Sequence, residues 1–344
     1  MRKFVALAYP ILLAAASPAL ADPRPLNVPN DKGWQHAQTK LILMATLGDF
    51  RREKLVDLGQ AELDVAATYR TPDQQNVASI YIYRPGIFDL PMWFDRSHLA
   101  MSYNRNVTLG APTGPIARFA LPGSPSLAGL RISYLRGGNQ TGATGLAMAP
   151  IDDWLFAIRL TSETMNGATL DAALSDLIAK IRWPPGTRPP RVANPIQACA
   201  KPLKFKRARV VQPDLGQALL GAALNLAVNE KAKEPVNPED APTYCSIGQG
   251  TADYAVYRPS DHDSSYVLAL GDGGIAASVF PEFSLTGGKG NFSVVLNDHD
   301  SFDNYPAFNA LPEPRQVFDM IMKRSPVSST TRGSKDITIS PAAK

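Results

Sequence analysis

Histidine and cysteine are scarce: the chain of 344 residues has four His and two Cys. None of the spacings between them fits a structural zinc site. The nucleophile motif Gly-x-Ser-x-Gly is absent, and "SLTGGKGN" lacks the Ser or Thr and the following helix that a phosphate-binding loop requires. The sequence therefore contains no cofactor motif and no motif for the common nucleophilic or nucleotide-dependent chemistries.

An excess of charge of either sign is also missing. The chain has 35 Lys and Arg against 31 Asp and Glu, and two of the basic residues, Arg2 and Lys3, lie at the extreme N-terminus. Without them the net charge is near +2, which does not suit a nucleic-acid-binding surface, so we expect no nucleic-acid partner. After the N-terminal segment no apolar run reaches the roughly 20 residues that a membrane span needs. We expect no transmembrane segment in the mature chain.

The N-terminal segment 1–21 has the three parts of a secretory signal peptide. "MRK" is basic, "FVALAYPILLAAA" is apolar, and "ALA" supplies the small residues of a cleavage site before Asp22. We therefore expect cleavage after Ala21 and an exported protein, either periplasmic or secreted.

The two cysteines, Cys199 and Cys245, are expected to form a disulfide, because export places them in an oxidising compartment. Two buried thiols are the alternative. A bond closing a loop of this length would stabilise the fold by roughly 4 kcal/mol in the chain-entropy model.

Proline marks the organisation of the chain. The segment "RWPPGTRPPRVANPIQ" cannot form a helix and is typical of an extended spacer. It predicts an N-terminal domain over 22–183, a linker over 184–198, and a C-terminal domain over 199–326 followed by a flexible tail over 327–344.

Both halves mix strand-like runs with a few amphipathic segments. In the first half one helix is predicted with Asp89 as N-cap, and another precedes Pro184. In the second half helices are predicted for the uncharged stretch 215–229 and for "EPRQVFDMIMKRSP". The pattern predicts an α+β fold of two domains, each a mainly antiparallel sheet packed with a few helices. The apolar faces expected on the first two helices are Leu90, Trp93, Phe94 and Met101, and Leu170, Ala173, Leu177 and Ile181.

The halves also share short sequences. "IYIYRPG" resembles "YAVYRPS", and each half closes with a helix that ends Arg-x-Pro. A diverged internal duplication would explain the similarity, and so would chance matches between two unrelated α+β domains.

Two Asp-His-Asp triplets are the only candidate for metal or acid–base chemistry. Imidazole and carboxylate groups can together bind a divalent metal ion or transfer a proton. Asp is equally favoured in turns, where its side chain bonds nearby backbone N–H groups. For the two triplets to act together in metal binding or proton transfer, they must lie at the same end of a sheet. We expect this if Pro281 ends a strand. The candidate metal ligands are Asp261, His262, Asp263, Asp298, His299 and Asp300.

A cluster of cations follows the first cysteine. It suits contact with an anionic ligand, such as a lipid or an acidic polysaccharide of the cell envelope. Alternatively, it is the solvated face of an edge strand, where lysines prevent unwanted pairing. The residues are Lys201, Lys204, Lys206, Arg207 and Arg209.

Together these features favour a soluble exported protein that binds or organises an envelope component without catalysing a reaction. The alternative hypothesis is a metal-assisted hydrolase that uses the two triplets, and a divalent metal ion would then be its cofactor.

Overall fold

The structure is a computed structural model, and it describes residues 23–184, 191–212, 242–260, 262–282, 290–334 and 336–340, with 221 and 223. Within these residues the chain forms two large, mostly antiparallel sheets, one two-stranded sheet and three helices. The predicted α+β class is confirmed at this level.

The first half forms a ten-stranded sheet in the order β1-β5-β6-β7-β12-β11-β10-β8, with β4 beside β5 and β9 beside β10. The two-stranded sheet β2-β3 belongs to the same half. The strands are β1 Arg24–Pro25, β2 Trp34–Gln35, β3 Ile42–Leu43, β4 Thr46–Leu47, β5 Phe50–Asp57, β6 Asp64–Arg70, β7 Asn76–Tyr83, β8 Leu109–Pro112, β9 Ala117–Phe119, β10 Gly129–Arg136, β11 Ala143–Ile151 and β12 Trp154–Ser162.

The second half forms a nine-stranded sheet in which the strands follow chain order from β13 to β21. Among the described strands of this sheet, only the short β13–β14 pair is parallel. The strands are β13 Gln197–Ala198, β14 Tyr244–Gly250, β15 Tyr254–Pro259, β16 Tyr266–Leu270, β17 Ile275–Pro281, β18 Phe292–Asn297, β19 Ser301–Phe308, β20 Ser328–Thr331 and β21 Ile337–Ile339.

Three helices lie where the sequence predicts them: α1 Leu90–Ser102, α2 Gly167–Lys180 and α3 Pro314–Lys323. The predicted N-cap of α1 is confirmed, because the Asp89 carboxylate accepts a hydrogen bond from the backbone N–H of Met92 at 2.7 Å. Asn166 caps α2 in the same way through the N–H of Thr169.

The helices and sheets stack in layers, and α1 lies between the two sheets. Its residues share one apolar core with β10, β11 and β12 on one side and with β15, β16 and β17 on the other. Helix α2 packs on the opposite face of the first sheet, and α3 packs on the opposite face of the second. One helix encoded in the first half therefore joins both halves.

The predicted tail and linker can be compared with the structure wherever their residues are described. The expected flexible tail instead adds β20 and β21 to the second sheet, where β20 pairs with Ser301–Asn304 of β19. The described part of the expected linker contacts both halves: Ala193 is buried and its N–H donates to the Leu127 carbonyl of the first half, and Gln197–Ala198 pair with β14 of the second sheet. Residues 185–190 and nearly all of the uncharged stretch 215–229 lie outside the described residues.

The hypothesis of internal duplication is not confirmed. In the first sheet the chain leaves after β7, passes through α1 and returns at β8 on the far edge, so that β12 becomes the neighbour of β7. In the second sheet β15 is followed directly by its neighbour β16. The matching Tyr-Arg-Pro sequences at the ends of β7 and β15 therefore precede different connections.

Candidate functional site

A cleft lies between the two halves, along α1, and we call it the α1 cleft. Its volume is about 450 Å³, within the range of roughly 300–1,000 Å³ that small-molecule sites occupy. Both halves contribute to its walls, with carboxylate, imidazole and hydroxyl groups beside apolar side chains. The lining residues are Asp95, His98, Leu99, Ser102, Leu109, Tyr134, Ser246, Gly248, Gly250 and Ala255.

His98 and Tyr134 form one polar pair in this cleft. The His98 Nε2 atom and the Tyr134 hydroxyl are hydrogen-bonded, and the two rings are stacked with centroids 5.5 Å apart. Burial lowers the pKa of the His98 imidazole, which the nearby Asp95 carboxylate opposes. The imidazole is therefore held neutral at pH 7, so it can donate one hydrogen bond and accept another.

Asp95 forms the second polar pair. Its carboxylate accepts a hydrogen bond from the Tyr257 hydroxyl at 2.8 Å, across the boundary between the halves. Burial raises the pKa of the Asp95 carboxyl, while the bond from Tyr257 lowers it. The pair presents a fixed, partly desolvated oxygen at the base of the cleft.

The next residue of α1 fixes the helix on the second sheet. Arg96 is fully buried, and its guanidinium donates to the backbone carbonyls of Thr251, Ala252 and Gly271. Gly250 also lies close to α1, since a Cβ atom at that position would lie 2.4 Å from a methyl carbon of Leu99. The wall of the α1 cleft is therefore held rigidly by contacts between the halves.

The predicted disulfide Cys199–Cys245 is confirmed. It lies at the edge of the α1 cleft, since Cys245 precedes the lining residue Ser246 in β14. The Cys199 N–H also donates to the Ser246 carbonyl at 2.8 Å. The disulfide and this bond restrain the strand that forms the far wall.

A smaller cleft of about 90 Å³ lies at another point between the halves, and we call it the Asp64 cleft. Arg159 and Asp272 form an ion pair in its wall, and the Arg159 guanidinium lies 5.9 Å from the centroid of the Tyr81 ring. Burial raises the pKa of the Asp64 carboxyl to about 7, and the nearby His299 imidazole opposes this effect. The other lining residues are Leu58, Tyr83, Ser97, Ala157 and Gly273.

The structure places the two Asp-His-Asp triplets at opposite ends of the second sheet. The first follows β15, at the end where Tyr266 pairs with Val279. The second follows β18, at the end where Asn297 pairs with Ala276. The expectation that they share one end is wrong: Pro281 does end β17, but β17 pairs directly with β18 as its antiparallel neighbour, so no further strand lies between them in the sheet to return the second triplet to the end of the first.

One carboxylate of each triplet has a local contact. The Asp298 carboxylate accepts from the His299 N–H at 2.7 Å, as expected of turn chemistry. The Asp263 carboxylate lies 3.8 Å from the Arg258 guanidinium. Asp261 lies outside the described residues, and within those that are described no group of three or more His, Cys, Asp or Glu is placed to hold a metal ion.

The five cations that follow Cys199 form an exposed strip, which we call the basic strip: Lys201, Lys204, Lys206, Arg207 and Arg209. Between them Leu203 and Ala208 are buried in the second core against α3. The Ala208 backbone is also bonded on both sides by the Gln316 side chain. This anchoring directs all five charged side chains to solvent.

No helix among the described residues is long and apolar enough to span a membrane.

Sequence reasoning missed most of the α1 cleft because it assigned α1 a single apolar face. Met92 and Leu99 fall outside the predicted face, yet both belong to the core between the halves, as does the buried Arg96. Apolar residues on two sides of one helix could have indicated a helix between two layers. Nothing in the sequence indicated that Asp64 lies opposite His299, since 235 positions separate them.

A comparison with models of protein families finds no match for this chain, and a comparison with curated proteins finds none either. The proposals below therefore depend on the geometry of the clefts and on the chemistry of the residues that line them.

Proposed function

We propose that this chain is an exported protein of the periplasm or the extracellular space that binds a saccharide unit of an envelope polysaccharide in the α1 cleft, without catalysing its conversion. The α1 cleft carries this proposal, through its volume of about 450 Å³ and its mixed lining. The signal-like segment 1–21 and the single disulfide are compatible with export.

The chemistry of the lining favours a sugar over a charged or purely apolar ligand. A sugar presents hydroxyl groups, which donate and accept hydrogen bonds, beside faces of C–H groups. The cleft offers the Asp95 carboxylate as an acceptor, the neutral His98 imidazole, and the hydroxyls of Ser102, Tyr134 and Ser246. The apolar contacts would come from Leu99, Leu109 and Ala255. The two polar pairs already fixed there would orient the ligand.

Isothermal titration calorimetry with glucose, N-acetylglucosamine, cellobiose and chitobiose tests this proposal. Ser102 is exposed at the end of α1, so Ser102→Trp fills the cleft without forcing an indole into the core. The matched control is Ser175→Trp, an exposed serine of α2 on the far face of the first sheet. We expect one of the four sugars to bind the unmodified protein and the control, and binding to S102W to fall at least tenfold. Absence of binding by all four, or equal binding to S102W, would refute the proposal.

The basic strip supports a second contact with the same kind of polymer. Five exposed cations within nine residues would attract the carboxylates of an acidic polysaccharide. Among the described residues none of the five is in an ion pair. We expect salt-dependent retention on immobilised polygalacturonate, lost in Lys204→Glu/Arg207→Glu and kept in Lys323→Glu. Binding to phosphatidylglycerol vesicles but not to polygalacturonate would assign the strip to a lipid surface and contradict this contact.

A further inference from the structure

Asp64 and His299 face each other across the boundary between the halves. Asp64 begins β6 in the first sheet, and His299 lies in the turn between β18 and β19 in the second. The His299 Nε2 atom is 3.9 Å from Asp64 Oδ2, and the side chains are 10% and 13% exposed. Water therefore screens this contact weakly.

A backbone carbonyl fixes the tautomer of His299. Its Nδ1 atom lies 2.7 Å from the carbonyl oxygen of Arg84. A carbonyl oxygen only accepts hydrogen bonds, so Nδ1 must carry a hydrogen atom. Nε2 is therefore the ring nitrogen without a fixed hydrogen, and it is the one that points toward Asp64.

Apart from the hydrogen on Nδ1, the pair can hold none, one or two protons. Whether the two side chains attract or repel depends on that number. With one proton, either a carboxylate faces an imidazolium or a neutral carboxyl faces the lone pair of Nε2, and both arrangements attract. With none, a carboxylate faces that lone pair and the two repel. With two, a buried imidazolium has no anion beside it on Asp64, which is costly.

The backbones around the pair approach each other closely. The Gly86 N–H donates to the Gly274 carbonyl at 2.8 Å, joining the end of β7 to the turn before β17. A Cβ atom on Gly86 would lie 2.1 Å from the Asn297 carbonyl oxygen, and one on Gly274 would lie 2.8 Å from the Tyr83 ring. The backbones of the two halves therefore pack directly against each other beside the pair.

We propose that Asp64 and His299 together hold one proton, on one side chain or the other, and form a pH-sensitive latch between the halves, closed while the proton is held and released when it leaves at alkaline pH. The latch does not depend on the saccharide proposal, since it concerns the contact between the sheets and involves none of the α1 cleft residues.

The surrounding charges make Asp64 the carboxylate that responds to pH. Asp57 is bonded to Arg24, and Asp272 is bonded to Arg159. Burial is the main cause of the raised pKa of Asp64, and the carboxylates of Asp272, Asp57 and Asp298 raise it further. The charged groups that face the pair from the elements packed around it are Arg24, Asp57, Arg84, Asp153, Arg159, Asp272, Asp298, Asp300 and Arg332.

The direction of the pH dependence follows from the raised pKa of Asp64. The ordinary pKa of an Asp carboxyl is 3.8, and the folded pKa of Asp64 is about 7, so the stability contributed by the held proton is lost as pH rises through about 7. Asp64→Asn places an uncharged amide there, whose N–H can donate to a neutral Nε2 and whose oxygen can accept from a protonated one. The latch should then stay closed.

The test is the thermal unfolding midpoint of the mature protein between about pH 5.5 and 8.5. We expect a decline of roughly 3 °C or more across this range for the unmodified protein, and a clearly smaller decline for Asp64→Asn. Asp263→Asn is the control, because it removes an exposed carboxylate at the other end of the second sheet and should keep the full decline. Equal declines in the unmodified protein and Asp64→Asn would overturn the proposal.

A second measurement does not require any variant to fold. Ring ¹⁵N chemical shifts can be assigned for the four histidines, and they distinguish which nitrogen carries the hydrogen. The latch requires that the neutral form of His299 carries its ring N–H hydrogen on Nδ1. A neutral form with the hydrogen on Nε2 would contradict the proposal.

Discussion

The Tyr257 hydroxyl in the second sheet donates a hydrogen bond of 2.8 Å to the Asp95 carboxylate on α1. The helix is encoded in the first half, yet its polar side chains are bonded by the second. With Arg96 adjacent and the apolar residues of both sheets around it, α1 belongs to both halves.

Replacing Arg96 by Met should destabilise the protein strongly. Met keeps much of the length and the apolar stem, but it leaves the carbonyls of Ala252 and Gly271 without their donor. Unpaired buried acceptors cost about 1–3 kcal/mol each, so we expect a loss of about 3 kcal/mol in the free energy of unfolding, measured by urea denaturation. The exposed Arg105→Met is the control and should change stability by less than about 0.5 kcal/mol. An equal effect of both variants would show that Arg96 does not hold the helix.

Tyr257→Phe should destabilise the protein less than Arg96→Met, and it should also change the pKa of Asp95 in the α1 cleft. The ring stays in the core and only the hydroxyl is lost, so we expect a cost of about 1–2 kcal/mol. The pKa of Asp95 should rise further, because the bond from Tyr257 lowers it in the native protein. Carboxyl ¹³C chemical shifts measured against pH would report this change. A lower pKa of Asp95 in the variant would contradict the assigned hydrogen bond.

The sequence predicted the elements better than their arrangement. The N-cap Asp89 and the face of Leu90, Trp93 and Phe94 were sufficient to place α1, because capping and helical periodicity are local properties. The two sides of α1 that contact different sheets are a property of the assembled layers. The turn chemistry of Asp298 was likewise predictable, whereas the contact of His299 with Asp64 depends on two sheets meeting.

Asp89→Asn should stabilise the protein at neutral pH. Burial raises the pKa of Asp89 to about 6, while its bond from the Met92 N–H lowers it. The stabilising contribution of the protonated form is therefore complete below about pH 4 and lost as pH rises through about 6. Asn accepts the same capping bond without a charge to desolvate, so we expect a gain of about 1 kcal/mol at pH 8 that disappears near pH 4. Asp89→Ala, which removes the cap, should instead lose about 1 kcal/mol.

Removing the disulfide at the edge of the α1 cleft should destabilise the protein. The bond closes a loop with a sequence separation of 46 residues, which corresponds to roughly 4 kcal/mol in the chain-entropy model. Cys199→Ser/Cys245→Ser should unfold at a correspondingly lower urea concentration. Thiol titration of the denatured, non-reduced protein purified from the exported fraction should find no free thiol, and two free thiols per chain would contradict the pairing.

The central claim is that α1 is one layer shared by both sheets, and hydrogen exchange of its backbone amides tests it most directly. If the helix is enclosed on both sides, the amides of Phe94 to Leu99 should be as protected as those of the central strands β11 and β12. Exchange of these α1 amides within minutes, while β11 and β12 remain protected, would mean that the second sheet does not cover the helix, and the account of the α1 cleft would be wrong.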